Sequence, residues 1–251
     1  MPSVAPPPNL RFDDQWCEDV TLDDGRCVRF RLLRPTDADK LQEGIGRLSE
    51  RSRYLRFFTD KPRLTSNELQ YLTQVDQYDH FAIAAGLLMP DGTEGPGVGI
   101  GRFVRLPDEP EVADPAVAVV DEMQGHGIGR RLMTWLIGAA AERGIRTFRT
   151  ELLAVNVPMK QLLSELSDQT RFSSEGPVVI AEFPLPVGKE DVAIVQSPQF
   201  EPMLSMLRLS AQQAVELVSA RLSELLDPDA LRARLTRWAS RLRGGAASED
   251  D

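Results

Sequence analysis

The stretch Val117–Met133, VAVVDEMQGHGIGRRLM, leaves a folding chain few options. A short apolar run, Ala116–Val120, is bounded by Pro115 and Asp121 and reads as a buried strand. Glycines then alternate at 125, 127 and 129, and an apolar helical face follows. Leu132, Leu136 and Ala140 recur every four residues, with Trp135 beside them, and Gly144 stands where such a helix stops. A strand feeding a long helix through a tight turn demands a layered packing of helix on sheet. Alternating glycines let backbone N–H groups converge without obstruction by Cβ atoms. The first helical turn leaves its own donors unpaired and adds the positive end of the helix dipole. The product is an anion cradle that fits a diphosphate, and Arg130 and Arg131 bring full charges to the same end.

The flanking sequence supplies the sheet. Residues 27–34 (CVRFRLLR) alternate arginine with apolar residues at a strand period and stop at Pro35. Thr36 caps a helix with Leu41, Ile45 and Leu48 on one face; Ser49 and Thr65 open two more. His80–Leu88 is a buried strand and Val98–Arg105 the next, joined across a Gly/Pro/Asp turn. Thr147–Val155 is a strand. Asn156 caps a helix that buries Leu162, Leu163 and Leu166, and Pro177–Phe183 closes the sheet. Residues 1–19, opening with MPSVAPPPNL, read as a disordered lead; 20–186 form the domain; 187–201 are a linker. Residues 202–245 form a helical tail whose Leu204, Leu207, Ala211, Leu231, Leu235 and Trp238 keep a 3-and-4 spacing suited to a homodimer contact.

Composition narrows the function. With 29 Lys and Arg against 38 Asp and Glu, the formal net charge is −9, which argues against nucleic acid as a partner. No apolar run approaches the roughly 20 residues of a membrane span, and no signal peptide is legible. Cys17, Cys27, His80 and His126 supply neither a disulfide framework nor a metal site, so a reducing cytoplasm and no metal are expected.

Other glycine loops fit less well. A Walker loop ends Gly-Lys-Ser/Thr, whereas this one ends Gly-Arg-Arg. A dinucleotide fingerprint is spaced G-x-G-x-x-G, whereas this one is G-x-G-x-G. What remains is Q-x-x-G-x-G, carried by Gln124, Gly127 and Gly129, and it resembles the acyl-coenzyme A loop of the GNAT superfamily of N-acetyltransferases. The order of elements over 28–183 resembles that superfamily too. RLSERSRYLRFF (47–58), GRFVRLPDEPEVAD (101–114), VVDEMQGHGIG (119–129) and NVPMKQLL (156–163) are similar to its bacterial Pat-type protein-lysine acetyltransferase branch.

The resemblance implies an α+β GNAT fold, with a central mixed, mostly antiparallel sheet flanked by helices and a C-terminal helical extension. It also implies acetyl-CoA as co-substrate and an amine acceptor, for the Pat-type branch a protein lysine. The pantetheine arm is expected beside Val117, Ala118 and Val119. The diphosphate is expected on Gln124, Gly125, His126, Gly127, Ile128, Gly129 and Arg130, and Asn156 is expected to reach the arm. Where Pat-type enzymes carry a glutamate base, this chain has Asp114, one methylene shorter and followed by Pro115; Glu111 is the substitute and Glu122 a weaker one. Leu163 stands where many GNAT enzymes carry a tyrosine. These departures keep open an alternative, a catalytically weak acyl-CoA-binding sensor or assembly module.

Overall fold

The computed structural model describes residues 10–57 and 62–186. The predicted linker, the helical tail and its dimer contact lie outside the described residues, as do residues 1–9. Among the described residues eight strands form one sheet: β1 (Cys17–Thr21), β2 (Cys27–Leu32), β3 (His80–Leu88), β4 (Glu94–Leu106), β5 (Glu109–Val119), β6 (Thr147–Leu153), β7 (Arg171–Glu175) and β8 (Val178–Pro184). Their order is β1-β2-β3-β4-β5-β6-β8-β7. Every neighbouring pair is antiparallel except β5 and β6. The sheet is therefore mixed and mostly antiparallel, as expected.

Helices α1 (Ala38–Gly46), α2 (Glu50–Phe57) and α3 (Ser66–Thr73) lie between β2 and β3 in the chain; α4 (Ile128–Glu142) and α5 (Val157–Leu166) flank β6. Thr65 caps α3 as its sequence predicts, its hydroxyl accepting from the Glu68 amide while the Glu68 carboxylate reaches back. The glycines of β4 fix where α4 sits. A Cβ on Gly101 would stand 3.1 Å from Leu136 and 3.2 Å from Leu132, so only glycine lets the helix approach this closely. The opposite face of the sheet receives α1, α2 and α3. Between α4 and the sheet, Phe81, Phe103, Phe148 and Phe183 run from strand to strand with ring centroids 5.2, 6.0 and 5.7 Å apart. All four are essentially inaccessible to solvent.

The N-terminal expectation needs correction. Residues 10–19 are ordered, because Phe12 and Trp16, four apart, bury themselves in the same core. Trp16 meets Trp135 of α4 at 5.3 Å and Phe12 meets Phe81 at 6.3 Å. The buried Arg143 donates to the Phe12 carbonyl at 2.9 Å, which ties the segment to the end of α4. Each such aromatic hides roughly 150–250 Å², enough to hold a proline-led segment whose sequence shows no periodicity. Strand β1 then follows as an edge strand on β2. Two shorter differences are local. The helix expected from Thr36 begins at Ala38, after a 3-10 turn over Pro35–Asp37, and β4 starts at Glu94 rather than Val98.

No described helix is long and apolar enough to cross a membrane. Among the described residues no group of three or more His, Cys, Asp or Glu side chains could hold a metal ion.

Candidate active site

The site begins where two strands part. β5 and β6 pair only at Val112↔Thr147 and Ala113↔Phe148. The next residue of β5 whose backbone points toward β6 is Pro115, and proline has no N–H to continue the ladder. The direction follows from β4: Val120 donates to Val98, so the even residues of this stretch exchange bonds with β4 and the odd ones face β6. Past Pro115 the strands splay, and the backbone groups of Val117 and Val119 point into the gap. A cleft of about 370 Å³ fills the splay. One wall is Pro115–Val119, the other Thr150–Leu152 of β6 with the cap residue Asn156 and with Pro158, Met159 and Leu162 of α5.

The glycine turn closes the top of the cleft. Gly125 and Gly127 have φ of +80° and +79°, in the left-handed region open to glycine at little cost. Gly127 is the N-cap of α4 and its side-chain-free position offers no capping bond. The first intrahelical bond is Arg131 N–H to Gly127 at 3.0 Å, so the amides of Ile128, Gly129 and Arg130 precede it and have no carbonyl a turn back. Gln124, Gly125, Gly127, Ile128, Gly129 and Arg130 all line the cleft, together with Val117, Ala118, Val119 and Asn156. Ten of the eleven residues expected to hold a coenzyme are thus brought together; the exception is His126.

Several side chains do something other than expected. His126 turns out of the cleft toward the β1–β2 hairpin, where its Nε2 lies 3.0 Å from Arg26 and its Nδ1 3.5 Å from Asp24. The Gln124 amide donates to the Val119 carbonyl at 3.0 Å, which braces the loop against the strand. Arg130 pairs with Glu165 of α5 at 3.0 Å. Asn156 Oδ1 accepts from the Met159 amide at 3.2 Å as an N-cap, so its carbonyl end is engaged locally while the residue faces the cleft. Leu163 is fully buried and belongs to the core.

The expected bases separate. Asp114 is exposed on β5, one residue before the cleft wall begins, and its charge reaches Arg56 of α2. Glu111 is exposed and paired with Arg146 at 3.1 Å, outside the cleft lining. Glu122 is exposed and paired with Arg47. The sequence reading overlooked Glu151, a carboxylate on β6 that does line the cleft. Pairing of Ala113 with Phe148 puts Asp114 level with Arg149 and Glu151 level with Ala116. At about 3.3 Å per residue, Glu151 therefore sits roughly 6–7 Å further into the splay than Asp114, on the same face of the sheet. Nothing in the string TELLAVN marks Glu151; only the parallel register reveals it.

Helix α2 roofs this face. Asp121, just ahead of the glycine turn, accepts from the Ser49 amide at 2.9 Å and from the hydroxyls of Ser49 and Ser52 at 2.6 and 2.9 Å. Burial pushes the Asp121 carboxyl up, but these bonds outweigh it and hold it ionised below its ordinary range. Beneath α2 lies a smaller pocket of about 70 Å³, which shares Leu48, Arg56 and Ala118 with the cleft. His80, 3.1 Å from Arg102 of that pocket, is pushed down to about 4 by burial and by Arg102, so it is neutral at pH 7.

Comparison with known proteins agrees with this geometry. A profile of the Acetyltransferase (GNAT) family matches residues 53–166. The Acetyltransferase Pat of Mycolicibacterium smegmatis is 30% identical over 201 residues, 80% of this chain and 56% of that protein. The chain thus spans little more than half the length of that relative. The Acetyltransferase PA5475 of Pseudomonas aeruginosa is 34% identical over 153 residues, 61% of this chain and 80% of the other. The solved GNAT domain of S. lividans PAT superposes with a TM-score of 0.61 at 29% identity, covering 69% of this chain and 99% of that domain. A cleft where β5 and β6 splay, capped by the Q-x-x-G-x-G turn, on a chain related to these proteins has one reading: the chain belongs to the GNAT acetyltransferase family.

Proposed function

We propose that this protein transfers an acetyl group from acetyl-CoA to an amine, with a protein lysine as the acceptor favoured by the likeness to Pat. The observation that carries the reading is the continuity of the cleft from the unpaired amides of Ile128, Gly129 and Arg130 to the splayed backbone of Val117 and Val119. The amides suit a diphosphate. The odd-numbered backbone groups of β5 suit the amides of a pantetheine arm, and the Val119 N–H is placed to donate to a thioester oxygen as charge develops on it.

The chain's own work is then proton handling. A lysine amine with a pKa near 10.4 is neutral in only about one molecule in a thousand at pH 7. A carboxylate acting directly or through water takes the proton as the amine nitrogen attacks the thioester carbon. The new C–N bond forms, the C–S bond breaks, and the sulfur leaves as thiolate to collect a proton. With Leu163 in the core and no tyrosine in its place, the thiolate leaves without a dedicated acid, consistent with a thiol pKa of about 8.5. Asp114 keeps the role its sequence position gives it, and Glu151 joins it as the carboxylate closer to the splay.

Isothermal calorimetry with acetyl-CoA, followed by release of free thiol on adding amines and lysine-bearing proteins, tests the proposal. Binding with sustained, acceptor-dependent release is expected. Binding without release from any acceptor would favour the sensor reading, and no binding by folded protein would defeat both. The dimer contact through residues 202–245 and a cytoplasmic setting belong to the same proposal; light scattering with and without residues 198–251 tests the former.

A further inference from the structure

We propose that Arg56 and Arg102 form a receptor for a carboxylate carried by the acceptor, so that the preferred substrates are amines with an acidic group a few bonds away. The inference rests on the acetyl-transfer reading above and adds the substrate class to it. The charges lining the small pocket under α2 divide into two sets. The first is closed: Arg31 makes paired bonds to Asp37 at 2.7 and 2.8 Å and to Glu94 at 2.7 and 2.8 Å, and Lys40 completes it on Glu94 at 3.1 Å. Two cations meet two carboxylates there.

The second set is left with positive charge. Arg102 is buried, at 6% exposure, yet its contacts are neutral: His80 Nε2 at 3.1 Å and the Leu72 carbonyl at 3.2 Å. Among the described residues no carboxylate reaches it, and the nearby Tyr71 phenol, pushed up by burial, is neutral at pH 7. Arg56 is half-buried and rests its guanidinium over Phe57 at 5.1 Å; among the described residues Asp114 is the one carboxylate within its electrostatic reach. The two guanidinium groups repel each other. Burial and that repulsion together bring Arg102 down to about 9. Among the described residues two cations at the pocket thus have one exposed carboxylate between them, outside its lining, and a buried cation without a counter-charge is unfavourable. An incoming carboxylate relieves both the repulsion and the desolvation, in the fork geometry that guanidinium groups favour.

Position links this pocket to transfer. Arg56 and Ala118 line both the pocket and the coenzyme cleft. Arg102 pairs with Ala116, one strand over from the proposed thioester position at Val119 and three residues down. Strand spacing and rise separate the two backbone positions by roughly 11 Å, a gap that the Arg102 side chain and a short aliphatic acceptor chain bridge together. The carboxylate could belong to a free amino acid or to an acidic residue beside a lysine in a protein.

Matched acceptor pairs decide. Thiol release from acetyl-CoA is measured with 6-aminohexanoate against hexylamine, and with a lysine peptide flanked by Asp against the same peptide flanked by Asn. The ratio of kcat/KM within a pair cancels any shared change in coenzyme binding. A preference of at least about tenfold for the acidic member of one pair is expected, falling toward one in Arg56→Gln and partly kept in Arg56→Lys. The pair that shows the preference identifies the source of the carboxylate. Calorimetry of 6-acetamidohexanoate against N-hexylacetamide, on protein loaded with CoA, reads the same discrimination without turnover and expects only the acid to bind. Equal use or equal binding of acidic and neutral members by protein that binds acetyl-CoA overturns this proposal alone. An unchanged ratio in Arg56→Gln does the same. Failure to bind acetyl-CoA at all overturns the transfer reading and this proposal with it.

Discussion

Two neighbouring glycines separate folding from binding when each is changed to alanine. Gly127 has a φ of +79° and open space where its Cβ would go. Gly127→Ala therefore meets no clash but is forced into the left-handed region, at about 1–2 kcal/mol. For a domain of this size each kcal/mol moves Tm by about 2–4 °C, so a fall of roughly 2–8 °C is expected. Gly129 lies in the first turn of α4 with an ordinary helical φ, and its added Cβ would sit 3.7 Å from Val119 and 3.8 Å from Val117, normal contact distances. Gly129→Ala gains up to about 1 kcal/mol of helix propensity and loses nothing to overlap. Its Tm is expected to hold or rise by up to about 4 °C. The same methyl group, however, stands between helix and strand in the lining of the cleft. Acetyl-CoA affinity is expected to fall by at least about tenfold, the equivalent of 1.4 kcal/mol. Thermal melts of the free proteins by circular dichroism and calorimetric titration with acetyl-CoA give both quantities. A Gly129→Ala protein that is destabilised as much as Gly127→Ala, or that binds acetyl-CoA with wild-type affinity, would refute this account of the turn.

The remaining predictions address the acid–base groups and the buried ion cluster. Glu151→Gln and Asp114→Asn are each expected to lower kcat while leaving acetyl-CoA affinity within about twofold, with the larger loss for the residue that takes the proton; steady-state thiol release gives the order, and full rates in both would exclude the two carboxylates. Arg31→Met strands the buried Asp37 and leaves Glu94 with Lys40 alone, and is expected to cost about 3–5 kcal/mol, read from denaturant unfolding. Burial pushes both carboxyls up, but the Arg31 bonds outweigh it and leave both below their ordinary values of 3.8 and 4.5. Their stabilising contribution is complete above those values and is lost as the pH falls through the lowered folded ones. Arg31→Met is therefore expected to move acid unfolding to higher pH, and an unmoved acid transition would count against the cluster.

How much of this was legible beforehand depends on what each residue had to do. The buried elements were readable because their apolar spacing is imposed by the core: His80–Leu88 and the helix from Ile128 appear where periodicity puts them. The cradle was readable because a positive φ leaves glycine as its signature. The two edge strands were not. β1 (CEDVT) and β7 (RFSSE) each pair on one side only, so their faces stay polar and carry no alternation. Trp16 and Phe12 were missed for a related reason, since two isolated aromatics hold their segment without any period. Pro115 read as a departure from the family pattern, whereas the structure gives it a use, ending the β5–β6 ladder where the cleft must open. Glu151 depends on register across strands far apart in sequence, and the Arg56–Arg102 pair on how α2 packs against the sheet; no local pattern encodes either.

The proposed function stands on a coenzyme's diphosphate resting on the backbone amides of the turn leading into α4. Amide hydrogen exchange across residues 124–131, with and without saturating acetyl-CoA, tests it most directly. Exchange at Gly125 through Arg130 is expected to slow markedly on binding, with smaller protection at Val117 and Val119. Binding of acetyl-CoA with unchanged exchange in this turn, and protection elsewhere in the protein, would contradict it.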